Sequence, residues 1–384
     1  LAACMASHGQ ADKGKATMIN KLKQFWSNLN PTLRAWLSTA VKAVITVGAF
    51  YLLLSHQVTT DDGRSVTTFT AIREFIPNIN MDDFWMFVAL AAGIKFIGIL
   101  ASMYRWLLLL KGQGIIFPFK HIFGSFLIGR FLGTFLPSTV GLDGYKLYDA
   151  ARFSDRTVEV TAATVIEKVL GILGIFFTFL VAMPWGISIF GDNAFRVAAL
   201  TVPIASAVLL LFFTLLFKPS LVQWVIENFP IPARDKIAGF VTRVSKAAAA
   251  YSDKRMLLLN AAVQSWIVHF TTAVMYFFTA LAVGAVGASF WEVTFASSIQ
   301  IFATVISPFT IAGEGIREIA QTYLLGEKMG TSQAIISAAL GFWAAEALTL
   351  TGAFFLWVRP KGYRPEWVLV DGEPVVVTAD SGQA

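Results

Sequence analysis

The sequence predicts an all-α, polytopic integral membrane protein with about six full spans and two broken or re-entrant helical elements. Three observations carry that reading. Only 14% of the 384 residues are charged and 56% are hydrophobic, where an ordinary soluble domain is about 25% charged. The mean hydropathy is +0.65, with 34 Phe and 11 Trp. Water could not be kept from so much apolar surface by so few charges, which excludes a disordered chain, a disulfide-stapled secreted module and an ordinary cytosolic enzyme. Finally, the apolar residues gather into runs long enough to cross about 30 Å of hydrocarbon, and the basic residues collect in the short connections between them. That distribution, rather than nucleic-acid binding, accounts for the net charge of +6. Cys4 is the only cysteine and the four His are scattered, so neither an intrachain disulfide nor a metal centre is expected.

Residues 1–32 are polar and basic, with Lys13, Lys15, Lys21 and Lys23, and lack the short apolar core and cleavage site of a signal peptide. The first span is expected at about Leu33 to Ser55. The connection after it is acidic (Asp61, Asp62, Glu74, Asp82, Asp83), and the next span, about Phe84 to Leu110, ends near Arg105 and Lys111. Basic, acidic and basic flanks in that order put the N-terminus in the cytoplasm. Residues 115–136 are apolar but interrupted by Pro118, Lys120, His121 and Arg130. The segment from Pro137 to Tyr145 that follows reads as irregular backbone, with Asp143 between Gly141 and Gly144. The polar load favours a broken or re-entrant element entering from the cytoplasmic side, where protein or a watery cavity must satisfy the backbone.

Spans at about 158–183 and 197–217 come next. The stretch 218–256 is a basic cytoplasmic linker with an amphipathic helix around 233–250, suited to a lipid surface. A span at about 257–285 leads out. Residues 291–306 are apolar but short and run into Ser307 to Glu318, a second broken element opened from the outside. The last span, about 333–357, ends at Arg359 and Lys361, which places the tail, 359–384, in the cytoplasm. Asp371-Gly372 within that tail is the signature of a tight hairpin. Interruptions in both halves, on opposite sides, are what an inverted repeat would show, although the halves share no convincing identity.

Ionisable residues inside a bilayer are functional candidates by default. The first group is Arg130, Asp143, Tyr145 and Lys146: the cations suit a phosphate headgroup, and a snorkelling or ion-paired role is the alternative. Glu167 and Lys168 form the second group. They point to different sides of one helix, Glu167 towards a cation such as Arg130 or Arg317 and Lys168 towards the interface, or they pin helices together. The third is Glu314, Arg317 and Glu318 around Gly313 and Gly315, where a helix N-terminus would offer N–H groups to an anion, or where the chain simply breaks and recloses. Glu346, deep in the last span, adds a carboxylate able to take up a proton or hold an arginine. His269 reads as a satisfied core histidine.

These pieces, in order, resemble the lysylphosphatidylglycerol synthase transmembrane-domain family of flippase-like proteins. The series is Arg105 with Lys111; Gly129 to Pro137 followed by Gly141-Leu-Asp-Gly-Tyr-Lys146; Glu167-Lys168; and Pro308 to Glu318. It covers roughly residues 40–358. The chain departs from the family pattern at Leu142 and Glu314, where glycines are expected, and at Lys146 and Lys168, where arginines are. Arginine and lysine differ at a bidentate phosphate site, so the headgroup is expected to differ as well. Some relatives carry a soluble aminoacyl-transferase domain; residues before 33 and after 360 contain nothing like it, and lysine transfer is not expected.

The resemblance implies a bacterial inner-membrane protein that moves a phosphate-bearing lipid (anionic, aminoacylated or polyprenyl-linked) between leaflets, with the ten intramembrane residues above lining its path. No Gly-x-x-x-x-Gly-Lys-Ser/Thr loop occurs, so no nucleotide or other cofactor is expected, and a proton or ion gradient or downhill movement would drive transport. An integral-membrane enzyme acting on a lipid-linked phosphate or sugar is the alternative, although no catalytic constellation is recognisable. A lipid-modifying enzyme and a second copy of the chain are the protein partners left open.

Overall fold

The computed structural model describes residues 51–59, 64–135, 140–228, 234–306, 315–358 and 364–375, with isolated positions at 30, 37, 40, 43–44 and 47–48. Most of the expected first span lies outside the described residues. So do the polar N-terminal segment, Pro137 to Thr139, and Ser307 to Glu314.

A small antiparallel hairpin, β1 (Gln57–Thr59) and β2 (Ser65–Thr67), leads into α1 (Thr68–Phe75). The first long helix, α2 (Met81–Gly112), is capped by the Asn80 side chain, which accepts from the Asp82 and Asp83 N–H groups. Two acids in its first turn and Lys111 in its last complement the helix dipole. The two-residue strand β3 (Ile115–Ile116) joins α2 to a helical hairpin, α3 (Phe119–Phe135) and α4 (Val140–Ser154). Next come α5 (Thr157–Gly186) and α6 (Ala194–Phe217), separated by a 3-10 turn in which Gly191 takes a positive φ of 50°. Two shorter helices, α7 (Pro219–Asn228) and α8 (Arg234–Ala249), precede α9 (Arg255–Ala282). A second helical hairpin, α10 (Phe290–Ile306) and α11 (Ile316–Met329), leads to α12 (Thr331–Val358) and the tail hairpin β4 (Leu369–Val370) and β5 (Glu373–Pro374).

The protein is thus an all-α, multi-pass membrane fold apart from these short strands. Four described stretches are long and apolar enough to cross a bilayer: Met81–Gly112, Thr157–Thr214, Arg255–Ala282 and Thr331–Val358. The second contains α5 and most of α6. The expected spans at 158–183, 197–217, 257–285 and 333–357 correspond to α5, α6, α9 and α12.

Helix α9 is the central post and packs on α2, α5, α10 and α12. Close approach is permitted by missing side chains: a Cβ at Gly174 of α5 would stand 2.7 Å from the Ser265 carbonyl oxygen of α9. Polar contacts sort the helix ends onto two faces. On one face, Lys254 donates to the Gly112 carbonyl at 2.6 Å, Tyr251 Oη donates to the Leu109 carbonyl at 2.8 Å, and Arg156 pairs with Asp371 of the tail at 2.7 Å. On the other, Ser188 just beyond α5 donates to Glu292 at the start of α10.

Each short hairpin is tied at its mouth. His121 Nε2 in the first turn of α3 stands 2.7 Å from Asp149 Oδ2 near the end of α4; Lys328 near the end of α11 pairs with Glu292 near the start of α10 at 2.9 Å. The hairpins therefore open on opposite faces. Their packing is reciprocal: α3 lies on α12 and α4 on α5, while α10 lies on α5 and α11 on α12.

Two local expectations change. The segment from Val140 to Tyr145 is helical rather than irregular, because Asp143 in the first turn of α4 is favoured by the N-terminal end of the helix dipole. The amphipathic helix of the linker, α8, turns Val241, Val244, Ala247 and Ala248 into the protein core beside Val169 and Leu170 of α5, so that face meets protein rather than lipid. The Asp-Gly hairpin forms as its residues require. Asp371 and Gly372 both take positive φ, 54° and 86°, and β4 pairs with β3, docking the tail beneath α2.

Candidate functional site

The charged residues expected on separate elements converge where α2, α4, α5 and α9 meet. Glu167 of α5 is the hub. Its Oε1 accepts from Arg105 Nη2 of α2 at 3.0 Å, and its Oε2 accepts from Lys146 Nζ of α4 at 2.7 Å. Arg105 also donates to Ser265 Oγ of α9 at 2.8 Å. Lys146 reaches Asp143, one turn earlier on α4, at 3.5 Å, and Asp143 in turn holds Lys168 of α5. Among the described residues, Arg105, Lys146 and Lys168 meet Asp143 and Glu167 here. Glu167, Lys146 and Arg105 are 4%, 3% and 7% exposed, whereas the Lys168 side chain is half exposed.

Burial at this depth decides the chemistry. Each buried ion costs several kcal/mol of desolvation, which only close, hydrogen-bonded partners offset. Lys146 gains further from the rings of Trp106 and Phe126, whose centroids lie 4.8 and 5.3 Å from Nζ. Adjacent residues of a helix diverge, as expected for Glu167 and Lys168, and Asp143 and Lys146 of α4 bridge that divergence. Glu167 pairs with Arg105 and Lys146 rather than with Arg130 or Arg317, and Lys168 turns to Asp143 rather than only to the interface.

The remaining sequence-selected residues are distributed differently. Arg130, in the last turns of α3, and Tyr145, beside Lys146, are partly buried. Arg317 and Glu318 open α11 as expected, remote in sequence from the first cluster and on the other hairpin. The Arg317 guanidinium stands 4.6 Å above the Phe342 ring of α12, and Glu318 Oε2 accepts from the Gly315 N–H at 2.7 Å. Glu318 thus caps its own helix at Gly315, whose φ of 83° suits glycine. Glu314 lies outside the described residues. Glu346 is a helical position of α12 whose side chain is likewise outside them.

Sequence reasoning passes over three participants. Arg105 reads in sequence as the closing charge of a span, yet it lies seven residues inside the end of α2. Ser265 carries no signal of its own. Lys95 sits midway along α2, where a lysine in lipid costs about 3 kcal/mol, and donates to Thr272 Oγ1 of α9 at 3.0 Å. The unbroken apolar run around it is the signal that could have found it. An apolar cavity of about 620 Å³ also lies between α5, α6 and α9, lined by Leu173, Phe177, Leu209, Phe213, Val263 and Trp266.

The family model described as the lysylphosphatidylglycerol synthase TM region matches residues 39–353. The chain belongs to that family. The match takes in both helical hairpins and every residue of the ion cluster. Comparison with curated protein sequences finds no match to the chain.

Proposed function

We propose that this family member moves a phosphate-bearing lipid across the bilayer, with the headgroup held at the Arg105–Lys146–Glu167–Asp143–Lys168 cluster. The single observation that carries the proposal is this buried cluster of Arg, Lys, Asp and Glu side chains, built among apolar helices of a multi-pass protein. Arg105, Lys146 and Lys168 bring together donors of the kind that suit phosphate oxygens, and the half-exposed Lys168 offers a headgroup a point of entry. Arg130, Tyr145, Arg317 and the carboxylates Glu314, Glu318 and Glu346 would line further parts of the path. The apolar cavity between α5, α6 and α9 suits an acyl or polyprenyl chain.

The arrangement we favour has six full spans, α2, α5, α6, α9 and α12 joined by one near residues 33–55, and two re-entrant hairpins, α3–α4 and α10–α11. The opposed mouth ties and reciprocal packing of the hairpins support an inverted repeat, in which a site near the repeat interface is exposed alternately to the two sides. Residues 1–32 and 359–384 are assigned to the cytoplasm by the charge of their flanks, and 218–256 to a cytoplasmic linker. Coupling to a proton or ion gradient, a lipid-modifying enzyme as partner and self-association belong to the same reading.

The test is reconstitution into liposomes, followed by the transbilayer movement of acyl-labelled phosphatidylglycerol and lysyl-phosphatidylglycerol. Movement above that of empty vesicles, reduced about tenfold or more in Lys146→Ala as one charge-assisted contact is lost, is expected. A folded wild-type protein that moves neither lipid, with and without an imposed pH gradient, would refute transport. Chemical conversion of a headgroup by the purified protein would favour an enzyme acting on a lipid-linked phosphate or sugar instead.

A further inference from the structure

The second helical hairpin carries buried polar side chains that the ion cluster does not use. At its mouth Glu292 of α10 is tied to Lys328 of α11 at 2.9 Å. One turn further in on each helix, Ala296 and Leu325 are fully buried in one core cluster. Gln300 and Gln321 stand four residues beyond that pair, on the same helix faces, so the register of the hairpin brings them to one level. That level is about 12 Å in from the mouth. Ser297 lies three residues before Gln300, on the same side of α10.

Ser297, Gln300 and Gln321 are 0%, 1% and 0% exposed. Among the described residues, Ser297 Oγ, both amide atoms of Gln300 and Gln321 Oε1 have no hydrogen-bond partner. Gln321 Nε2 reaches only Ser337 Oγ of α12, at 3.5 Å. A glutamine that pins helices in lipid does so by hydrogen-bonding across them. Without a partner it is less stable there than an apolar side chain of the same size.

We propose that Ser297, Gln300 and Gln321 form a second headgroup site, sealed in this structure, which takes the hydroxyl groups of the transported lipid when α10 and α11 part. The inference rests on the transport reading above. The open atoms select the ligand chemistry: Gln300 Oε1 and Gln321 Oε1 accept, Gln300 Nε2 donates, and Ser297 Oγ does both. A phosphate only accepts and would leave both carbonyl oxygens bare. A cation would meet the oxygens and leave the Gln300 N–H groups bare. Neighbouring hydroxyls, each a donor and an acceptor, satisfy the whole set, which points to a glycerol or sugar headgroup. The two hairpins then divide one headgroup, its phosphate at α3–α4 and its hydroxyls at α10–α11.

Phosphatidylglycerol and phosphatidylethanol carry the same phosphate charge, and only the first has headgroup hydroxyls. Initial rates of transbilayer movement of the two acyl-labelled lipids are measured in proteoliposomes, with unfolding midpoints taken in detergent. We expect the wild type to move phosphatidylglycerol about tenfold or more faster, because a site built for hydroxyls rejects an analogue that lacks them. Gln300→Met, apolar and of similar size, should bring the two rates within about threefold of each other, and Ser297→Ala should narrow the gap by about threefold. Both variants should move phosphatidylethanol as the wild type does and unfold at or above its midpoint, since no bond within the protein is lost. A wild type that moves both lipids alike overturns the site and leaves transport intact. So do variants that keep the wild-type ratio, slow both lipids equally or unfold at a lower midpoint. Uptake of free inositol that depends on Gln300 would assign the site to a free polyol and overturn the lipid headgroup. A wild type that moves neither lipid overturns the transport reading itself.

Discussion

The two helical hairpins place similar residues to different ends. In α3–α4 the charged side chains leave the hairpin: Asp143 and Lys146 extend to Lys168 and Glu167 of α5, and through Glu167 to Arg105 of α2. In α10–α11 the corresponding contacts are shorter in reach. Glu318 folds back on the Gly315 N–H, and Arg317 lies on the Phe342 ring. The mouths differ as well. His121 and Asp149 are buried, with His121 stacked on Phe117 at 5.4 Å and edge-on to Phe153 at 5.3 Å, whereas Lys328 at the other mouth is 41% exposed. A carboxylate beside glycines therefore does not declare its role. What separates a cap from a link between helices is whether the partner lies on its own helix or on another element.

The comparison breaks most visibly at its two central carboxylates. Glu167→Ala leaves Arg105 buried without a counter-charge and Lys146 with only the more distant Asp143, a loss of about 3–5 kcal/mol. Glu318→Ala removes one helix-end bond and should cost about 1 kcal/mol. Denaturant-induced unfolding in detergent, followed by far-ultraviolet circular dichroism, ranks the two variants. Equal losses would mean that Glu318 belongs to a buried charge network of its own.

The mouth ties should rank in the same direction by a smaller margin. Asp149→Ala takes one buried partner from His121, which lies against the Phe117 and Phe153 rings, at about 1–3 kcal/mol. Lys328→Met removes a half-exposed partner from Glu292 and should cost about 1 kcal/mol or less. The same unfolding measurement decides. A larger effect at Lys328 would show that the second hairpin depends on its mouth more than the first.

The four spanning stretches were legible because each is a long apolar run, and a helix is the only way for a single segment to satisfy its backbone in lipid. The two hairpins were legible as places where such runs break. Asp143, Lys146, Glu167 and Lys168 were recognisable singly, as charges that have no business in hydrocarbon without a partner. Their pairing was not, since it depends on α4 lying against α5, and no sequence spacing encodes which helices are neighbours. Arg105 was hidden by a habit of reading any basic residue near a span's end as a topological flank. The burial of α8 was hidden in another way: an apolar helix face looks the same in sequence whether it meets lipid or protein.

The finest distinction between the hairpins is their response to acid. Glu292 lies outside the four spanning stretches. Burial pushes its carboxyl up, but the Ser289 N–H and the side chains of Lys328, Ser188 and Ser289 outweigh that push and hold it at about 2, below the usual 4.5. A carboxyl whose folded value is depressed contributes stability that is fully present above its unfolded value and is lost as pH falls towards the folded one. The second mouth should therefore hold unchanged down to about pH 5 and loosen progressively between about 4.5 and 2. Hydrogen exchange of the backbone amides at Glu292–Phe295, compared between pH 5 and pH 3 after correction for intrinsic rates, reads this directly. Protection should fall in the wild type and fall less in Glu292→Gln, which has no charge to lose at that mouth. If both lose protection alike, the acid sensitivity of the hairpin arises elsewhere, and the Glu292–Lys328 tie is incidental to how it stays closed.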